Sequence, residues 1–295
     1  MRRPSAAEAM LLATVTIWAF NFTVTKYAFD NGFKPLAYSS VRFATAGMLF
    51  AVLTYGREHS FRIERRHLPL LLGAAFVGIY LNQLSFVYAI DLTSASTTAL
   101  IFGTLPVVTA LFAFAFGIER LPRRLWIAAA LSVAGVALVA VGAEGGLAAD
   151  LLGNLLAFAA AATWGLYSVA IVPLMRHYSP YRISAIALLV GAVPALLTAL
   201  PQLVDQDWHL PGLVWAGFVF GVVGPLVVTN ILWFTAIDRV GPSRATLFAN
   251  LQPFLAALFA VVLLSETITV VQVLGGAAIA ISLALARRRP AVEPA

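Results

Sequence analysis

The sequence contains no cysteine, and only 11% of its 295 residues are charged. Without cysteine there are no disulfide bonds, no catalysis by a thiol and no metal sites built on thiolates. The low share of charge accompanies 61% hydrophobic residues, which is far above the share in a soluble domain. These proportions predict an integral membrane protein.

Other absences narrow the function. No Gly-x-x-x-x-Gly-Lys-Ser/Thr phosphate loop is present, so nothing supports direct coupling to ATP. No Asp or Glu lies in the middle third of a predicted helix, where proton-coupled carriers usually place one. The histidines all lie in loops or at the ends of apolar segments, at His59, His67, His177 and His209. We therefore expect no metal site, no cofactor and no enzymatic activity.

Apolar segments of about 20 residues, the length that an α-helix needs to cross a bilayer, follow one another along the chain. They cover residues 7–29, 36–55, 67–89, 93–116, 123–142, 152–174, 182–200, 211–235, 242–264 and 268–286. Arginines fall on alternate connections between these segments, and the opposite connections carry mainly acids. By the positive-inside rule both termini are cytoplasmic, and the net charge of +6 needs no nucleic-acid partner to explain it.

One stretch of the chain occurs twice. Residues 89–119 and 236–266 align without a gap at a shift of 147 residues, and both carry an Ala-Ile-Asp turn, a proline and a final glutamate. A shift of half the chain length indicates an internal duplication. Because each half has five spans, an odd number, the second half enters the membrane from the opposite side.

The predicted fold is therefore an all-α integral membrane protein, with ten transmembrane helices as two inverted five-helix repeats around a central cavity. Residues 1–146 form the first repeat with a cytoplasmic N-terminus, residues 147–289 form the second, and residues 290–295 are a cytoplasmic tail. Small residues in helices 5 and 10, such as Gly135 and Gly275, permit close packing, so the protein is either a monomer or a homodimer with its seam there.

Each copy of the repeated stretch has a proline inside its helix. Proline removes the hydrogen bond to the residue four positions earlier, so Pro106 loosens the helix at Phe102 and Pro253 loosens it at Ala249. We predict that both prolines are hinges. Asn250 and Gln252 lie immediately before Pro253, so side-chain amides are placed beside the backbone that the proline loosens.

Polar and aromatic side chains gather in helices 1, 3, 6, 8 and 9. The spacing places Trp18 and Asn21 on one face of helix 1, and the 147-residue shift places Gln83 on Asn230. Aromatic rings suit a large apolar side chain, and amides satisfy an ammonium and a carboxylate without fixed charge. The candidate substrate-binding residues are Trp18, Asn21, Tyr80, Asn82, Gln83, Tyr88, Trp164, Tyr167, Asn230, Trp233 and Asn250. In the alternative interpretation, these polar groups join helices to one another, for example through a bond between Gln83 and Asn230.

Two cations lie about one helical turn or more inside the predicted spans. Lys26 is about one turn from the end of helix 1, and it either extends to the membrane surface or binds an anion. Arg42 is about two turns inside helix 2, which is too deep for an arginine without a partner. It either holds a substrate carboxylate or ties helix 2 to a buried carbonyl or acid, and we favour the structural role. Both residues are candidates for a carboxylate or coupling site.

Together these features resemble the EamA-type transporters of the drug/metabolite transporter superfamily, and most closely the bacterial exporters of aromatic amino acids. The matching residues are Trp18-Ala-Phe-Asn21, Arg42-Phe43, the Ala-Ile-Asp turns, Pro106, Pro253, Glu119 and Glu266. The resemblance covers essentially the whole chain. It implies a basket-shaped ten-helix fold, with helices 1, 3, 4, 6, 8 and 9 lining a central cavity, and export of amino acids or similar metabolites from the cytoplasm.

The sequence thus predicts a multi-pass inner-membrane transporter that exports neutral, aromatic amino acids or related metabolites by alternating access. Its partners are the small-molecule substrate and the lipid bilayer. Transport is either facilitated, which we favour, or coupled to a proton through Lys26 or an acid at a helix end. The competing cargoes are lipophilic cations, which would need a buried acid, and sugars or nucleotide-linked metabolites, whose phosphates would need clustered Lys and Arg.

Overall fold

The computed structural model describes residues 5–117, 123–142, 151–240 and 248–287, and these ranges contain helices and no strand. In chain order the helices are α1 (Ala6–Asp30), α2 (Pro35–Glu58), α3 (Arg65–Leu92), α4 (Ala95–Ala115), α5 (Arg123–Val141), α6 (Leu151–Met175), α7 (Pro180–Val204), α8 (212–240), α9 (Gln252–Leu264) and α10 (Val270–Arg287). Two of them, α3 and α8, contain a π-helical turn, and α4 is interrupted after Phe102.

Among the described residues, seven helices are long and apolar enough to cross a membrane: α1, α2, α3, α4, α6, α7 and the part of α8 up to Trp233. The other apolar helices are shorter, namely Trp126–Val141 in α5, Gln252–Leu264 in α9 and Val270–Leu285 in α10. The sequence predicts ten spans of full length. The difference is largest at α9, because the predicted helix 242–264 is interrupted before Gln252 and residues 241–247 lie outside the described ranges.

The starts of the helices follow the capping signals of the sequence. Ser5 and Glu8 form a capping box before α1: the Glu8 amide donates to Ser5 Oγ at 3.3 Å, and the Ser5 amide donates to Glu8 Oε2 at 2.7 Å. Ser94 caps α4 by accepting from the Thr97 amide at 3.0 Å. Pro35 occupies the first turn of α2, where its missing N–H is not needed.

Two pairs of helices pack against each other along most of their length, α2 with α7 and α5 with α10. A Cβ on Gly135 would lie 2.8 Å from Gly275 O, and a Cβ on Gly275 would lie 2.7 Å from Gly135 O, so neither position has room for a side chain. The glycines that the sequence offers for a homodimer seam therefore face each other inside one chain. A homodimer would need other surfaces of α5 and α10.

Two irregularities of the structure recur at the offset of the sequence repeat. The π-helical turns are Phe76–Leu81 in α3 and Val223–Val228 in α8, and adding 147 to the first range gives the second. The interruption of α4 at residues 103–104 recurs at residues 250–251 before α9, again 147 residues later. The prolines predicted the interruptions, whereas no sequence pattern predicted the π-helical turns.

The centre of the bundle is an aromatic cluster beside the interruption of α4. The ring centroid of Phe22 on α1 lies 5.2 Å from that of Phe86 on α3 and 6.0 Å from that of Phe102 on α4. Ala256 and Ala260 of α9 are fully buried in the same cluster. Helices from both predicted halves therefore meet here, and the cavity described next adjoins this core.

Candidate substrate cavity

The first wall of the cavity is the interruption of α4. The first half of this helix ends at Phe102, the residue whose carbonyl Pro106 cannot engage, and the second half begins one residue before Pro106. Gly103 and Thr104 form the connection, in which Thr104 Oγ1 donates to Ile101 O at 2.9 Å. The interruption predicted at this proline is therefore present.

The second wall is the matching interruption before α9. Helical residues end at Ala249, Asn250 lies in the following turn, and α9 begins at Gln252 with Pro253 in its first turn. A Cβ on Gly103 would lie 3.3 Å from Pro253 Cγ. The two interruptions therefore lie side by side and line the same cavity.

A cavity of about 40 Å³ lies between the two interruptions. Most of its lining is apolar, with Phe22 and Phe102 on one side, and Asn250 and Gln252 contribute amides. A single water needs about 10–15 Å³ and a bound organic ligand needs about 300–1,000 Å³. The cavity therefore has the volume of only a few waters in this conformation and is too small for a substrate as large as an amino acid.

A second, smaller cavity of about 10 Å³ lies between α2, α3 and α7. Tyr80 and Gln83 line it from α3, and Ser39 and Ser40 line it from α2. Gln83 Oε1 is buried and has no hydrogen-bond partner in the described ranges. Two of the predicted substrate-binding residues thus lie at a different place from Asn250.

Trp18 donates hydrogen bonds to the π-helical turn of α8 and to the residue that follows it. Its Nε1 donates to Thr229 Oγ1 at 3.0 Å and to Pro225 O at 3.2 Å, and its ring centroid lies 5.3 Å from that of Trp233. Thr229 Oγ1 also donates to Pro225 O, at 2.7 Å. Two side chains therefore bind one carbonyl of the π-helical turn, where the i→i−4 pattern is broken.

Asn82 and Gln83 tie α3 to α6. Asn82 Nδ2 donates to Ala160 O at 2.7 Å and to Thr163 Oγ1 at 3.3 Å, while Gln83 Nε2 donates to Asn82 Oδ1 at 3.2 Å. Asn230 Nδ2 donates to a carbonyl of its own helix at 2.7 Å. Gln83 and Asn230 therefore donate to different acceptors. The hydrogen bond between these two residues, which was the alternative interpretation of the sequence, is not formed.

The remaining aromatic candidates pack against α3 or extend from it. The ring centroids of Trp164 and Tyr167 on α6 lie 5.4 Å apart, and a Cβ on Gly78 would overlap the Tyr167 ring, since it would lie 2.2 Å from Tyr167 Cγ. Tyr88 Oη accepts a long hydrogen bond of 3.4 Å from Gln202 Nε2 on α7. The structure therefore groups the candidates in pairs rather than around one open cavity.

The two cations inside the spans have different surroundings. Lys26 Nζ lies 3.4 Å from Asp30 Oδ1, one helical turn further along α1. Arg42 is buried, with its guanidinium carbon 5.5 Å from the ring centroids of Tyr38 and of Phe43. The described residues provide neither the acid nor the carbonyl that a structural role for Arg42 would require at its Nε and Nη1.

Glu266 binds the start of a helix in the other half of the chain, a partner that sequence reasoning missed. Its Oε1 accepts from the Ala95 amide at 2.8 Å, and its Oε2 accepts from the Ser96 amide at 2.9 Å. A carboxylate at a helix N-terminus satisfies free amides and complements the helix dipole. The signal was the glutamate that ends both copies of the repeat; Glu119, its counterpart, lies outside the described residues.

These observations define a class of protein: a helical membrane protein with discontinuous helices that meet at a small, mostly apolar cavity with two side-chain amides in its lining, an arrangement typical of secondary transporters. The sequence matches the EamA-like transporter family over residues 5–141 and again over residues 151–288. The chain therefore belongs to the EamA-like transporter family, part of the drug/metabolite transporter superfamily.

Relatives of similar length carry transporter names. The uncharacterized transporter YetK of Bacillus subtilis is 24% identical over 281 residues, covering 93% of this chain and 84% of that protein. A probable terminal-alkyne amino-acid exporter of Streptantibioticus cattleyicolor is 27% identical over 278 residues, covering 94% of this chain and 91% of that protein. The uncharacterized inner membrane transporter YedA of Escherichia coli K12 is 26% identical over 275 residues, covering 89% of this chain and 84% of that protein.

A solved crystal structure has the same fold. It superimposes with a TM-score of 0.66 at 21% sequence identity, and the match covers 97% of this chain and 99% of the other. At this identity the likeness concerns the fold alone.

Proposed function

We propose that this protein is a secondary transporter of the inner membrane that exports neutral, preferably aromatic, amino acids or related metabolites by alternating access. The observation that carries the proposal is the close approach of two helix interruptions at equivalent positions of the repeat, residues 103–104 and residues 250–251, where Gly103 lies beside Pro253. Two related halves that each bend at one matched place have two alternative conformations of similar energy. A cavity of about 40 Å³ between the interruptions is then one part of the substrate site in its closed form.

The membrane arrangement in this proposal is ten transmembrane helices in two inverted five-helix repeats. Residues 1–146 form one repeat and residues 147–289 the other, and the arginine distribution orients both termini to the cytoplasm. The equal offset of the π-helical turns and of the helix interruptions supports the repeat. The family match to two successive segments supports it as well.

The amino-acid cargo rests on chemistry and on one relative. The aromatic pairs Trp18–Trp233 and Trp164–Tyr167 offer flat apolar surfaces once the helices separate. Asn250 brings an amide to the cavity. The match to the probable terminal-alkyne amino-acid exporter of Streptantibioticus cattleyicolor covers 94% of the chain, and the cargo in that protein's name is an amino acid. We infer a similar cargo for this protein.

The test is flux in proteoliposomes that contain the purified full-length protein. Labelled phenylalanine and threonine should cross faster than in empty vesicles, while a lipophilic cation and a neutral sugar should not. Trp164→Ala should lower the rate or affinity for phenylalanine, because it removes one of the aromatic walls. Absence of flux for a full panel of neutral amino acids would refute the amino-acid cargo.

A further inference from the structure

Three buried polar side chains with unsatisfied groups lie where α1, α2 and α8 meet. Arg42 is 3% exposed, and its Nε and Nη1 have no hydrogen-bond partner within the described ranges. Tyr38, one turn earlier on α2, is 0% exposed, and its hydroxyl has no partner there either. Asn21 on α1 is 6% exposed, and its Oδ1 is equally without one.

Arg42 and Tyr38 converge on the backbone of α8 at Gly221. A Cβ on Gly221 would lie 2.7 Å from Tyr38 Oη, 3.5 Å from Arg42 Cδ and 3.6 Å from Arg42 Nε. Glycine is therefore required here, because any side chain would displace the tyrosine hydroxyl. The two donors consequently lie beside the same short stretch of buried α8 backbone.

Asn21 lies at the same level of α8. A Cβ on Gly217 would lie 3.0 Å from Val24 Cγ1, and a Cβ on Gly224 would lie 3.2 Å from Ile17 Cγ2. These contacts show that α1 runs antiparallel to α8. Asn21 is four residues after Ile17 and three before Val24, so it lies on the same face of α1 as the two residues that approach α8.

A guanidinium without a counter-ion inside an apolar span is costly, because its charge is removed from water, and the rings of Tyr38 and Phe43 at 5.5 Å offset only part of that cost. The nearby acid Asp30 is held by Lys26 at 3.4 Å and lies at the end of α1. A group that enters from outside the protein and carries negative charge would remove the cost. Arg42 and Tyr38 offer hydrogen-bond donors, and Asn21 Oδ1 offers an acceptor, which is the complement of a carboxylate next to an ammonium.

We propose that Arg42 and Tyr38 bind the α-carboxylate of the transported amino acid, and that Asn21 Oδ1 accepts a hydrogen bond from its ammonium group. This inference rests on the proposed function, since it assigns one end of the substrate to a place in the fold. It selects the carboxylate interpretation of Arg42 over the structural one. Arg42 then provides selectivity for acids, and the aromatic pairs contact the side chain.

The test measures binding to the purified full-length protein with four probes: phenylalanine, phenylalaninamide, phenylacetate and chloride. Wild type should bind phenylalanine roughly 10- to 100-fold more tightly than phenylalaninamide, the range for a hydrogen bond to a charged group. Arg42→Gln should bring that ratio close to one. Asn21→Ala should instead reduce the preference for phenylalanine over phenylacetate. Arg57→Gln, which removes an exposed arginine of the same helix, should change neither ratio.

Thermal unfolding of the unliganded variants separates binding from structure. Arg42→Gln should unfold at the same or a higher temperature than wild type, because it removes an unpaired buried charge. Unfolding at a clearly lower temperature, with equal loss of phenylalanine and phenylalaninamide binding, would establish the structural role and overturn the proposal. Gly221→Ala serves as a second variant and should also reduce the ratio, because its methyl group displaces the Tyr38 hydroxyl.

The remaining outcomes distinguish this site from the exporter proposal. Flux of phenylalanine with unchanged acid preference in Arg42→Gln overturns the site and leaves the exporter proposal standing. If phenylacetate binding depends on Arg42 but no amino acid is transported, the exporter proposal is refuted and the carboxylate site is supported. Equal binding of chloride and phenylacetate would identify a site for inorganic anions and would overturn the assignment. The assignment would also be overturned if the wild-type protein bound neither phenylalanine nor phenylacetate.

Discussion

At the scale of single residues, polar side chains in this protein act mainly by binding exposed backbone. Glu266 accepts from two amides at the start of α4, and Trp18 donates to a carbonyl in the π-helical turn of α8. α8 contains a π-helical turn and α4 begins at Ala95, and at both places backbone groups lack partners within their own helix. In a hydrocarbon environment such groups must be satisfied by other parts of the chain.

Glu266→Ala should lower the stability of the protein. The substitution leaves the amides of Ala95 and Ser96 without their acceptors, and loss of a helix cap costs about 1–2 kcal/mol. We expect a fall in melting temperature of several degrees in detergent, measured by tryptophan fluorescence. Glu64→Gln is the control, because its exposed ion pair with Arg66 contributes little. Equal melting temperatures for wild type and Glu266→Ala would contradict the capping role.

Trp18→Phe should loosen the π-helical turn of α8 without removing the ring. The phenyl ring keeps the contact with Trp233 but cannot donate to Thr229 Oγ1 or Pro225 O. Hydrogen exchange measured by mass spectrometry should show roughly tenfold faster exchange for amides 226–230, which corresponds to a hydrogen bond of about 1 kcal/mol. Trp126→Phe, a change on the exposed face of α5, should leave these amides unaffected. Unchanged exchange in Trp18→Phe would show that the indole N–H does not hold the turn.

At the scale of helices, irregularity is concentrated in α3, α4, α8 and the start of α9. The sequence predicted the interruptions because proline acts locally on the hydrogen bond to the residue four positions earlier. It did not predict the π-helical turn of α3, which contains no proline and accompanies the packing of Gly78 on Tyr167. That contact joins residues 89 positions apart, so no local pattern contains it.

Pro106→Ala should stabilise the helix and slow transport. The new amide can bond to Phe102 O, so the two halves of α4 can join into one straight helix. We expect an equal or higher melting temperature together with a severalfold lower rate of flux, and the same result for Pro253→Ala. Pro194→Ala is the matched control, since Pro194 lies inside the uninterrupted helix α7. Flux that stays at the wild-type rate in both variants would exclude the two prolines as hinges.

At the scale of the whole molecule, the sequence predicted the helical membrane fold and the family, and it predicted only part of the site. Composition and the distribution of arginines reflect whether lipid or water surrounds each segment. They therefore predict a membrane fold without knowledge of which residues contact each other. The pairs Trp18–Trp233 and Asn82–Gln83 depend on how helices approach each other. The small size of the cavity depends on the conformation, which a sequence does not specify. The candidate substrate-binding residues therefore stay predictions until transport is measured.

The inverted arrangement predicts that equivalent loops lie on opposite sides of the membrane. Arg62 and His209 are 147 residues apart and both lie in connections, between α2 and α3 and between α7 and α8. In intact cells, a membrane-impermeant maleimide should label His209→Cys but not Arg62→Cys, and permeabilisation should make both reactive. The chain has no cysteine of its own, so the parent protein gives the background. Labelling of both positions from outside would refute the inversion.

The contact between Glu266 and α4 also has a consequence for synthesis in the cell. The start of α4 leaves the ribosome some 170 residues before the carboxylate that caps it, because Glu266 pairs with Ala95 and Ser96. Until α9 and Glu266 have been made, the amides of Ala95 and Ser96 therefore lack the acceptors that they have in the complete protein. Nascent chains that stop early should be recognised by membrane proteases, and complete ones should escape them once the two halves have joined.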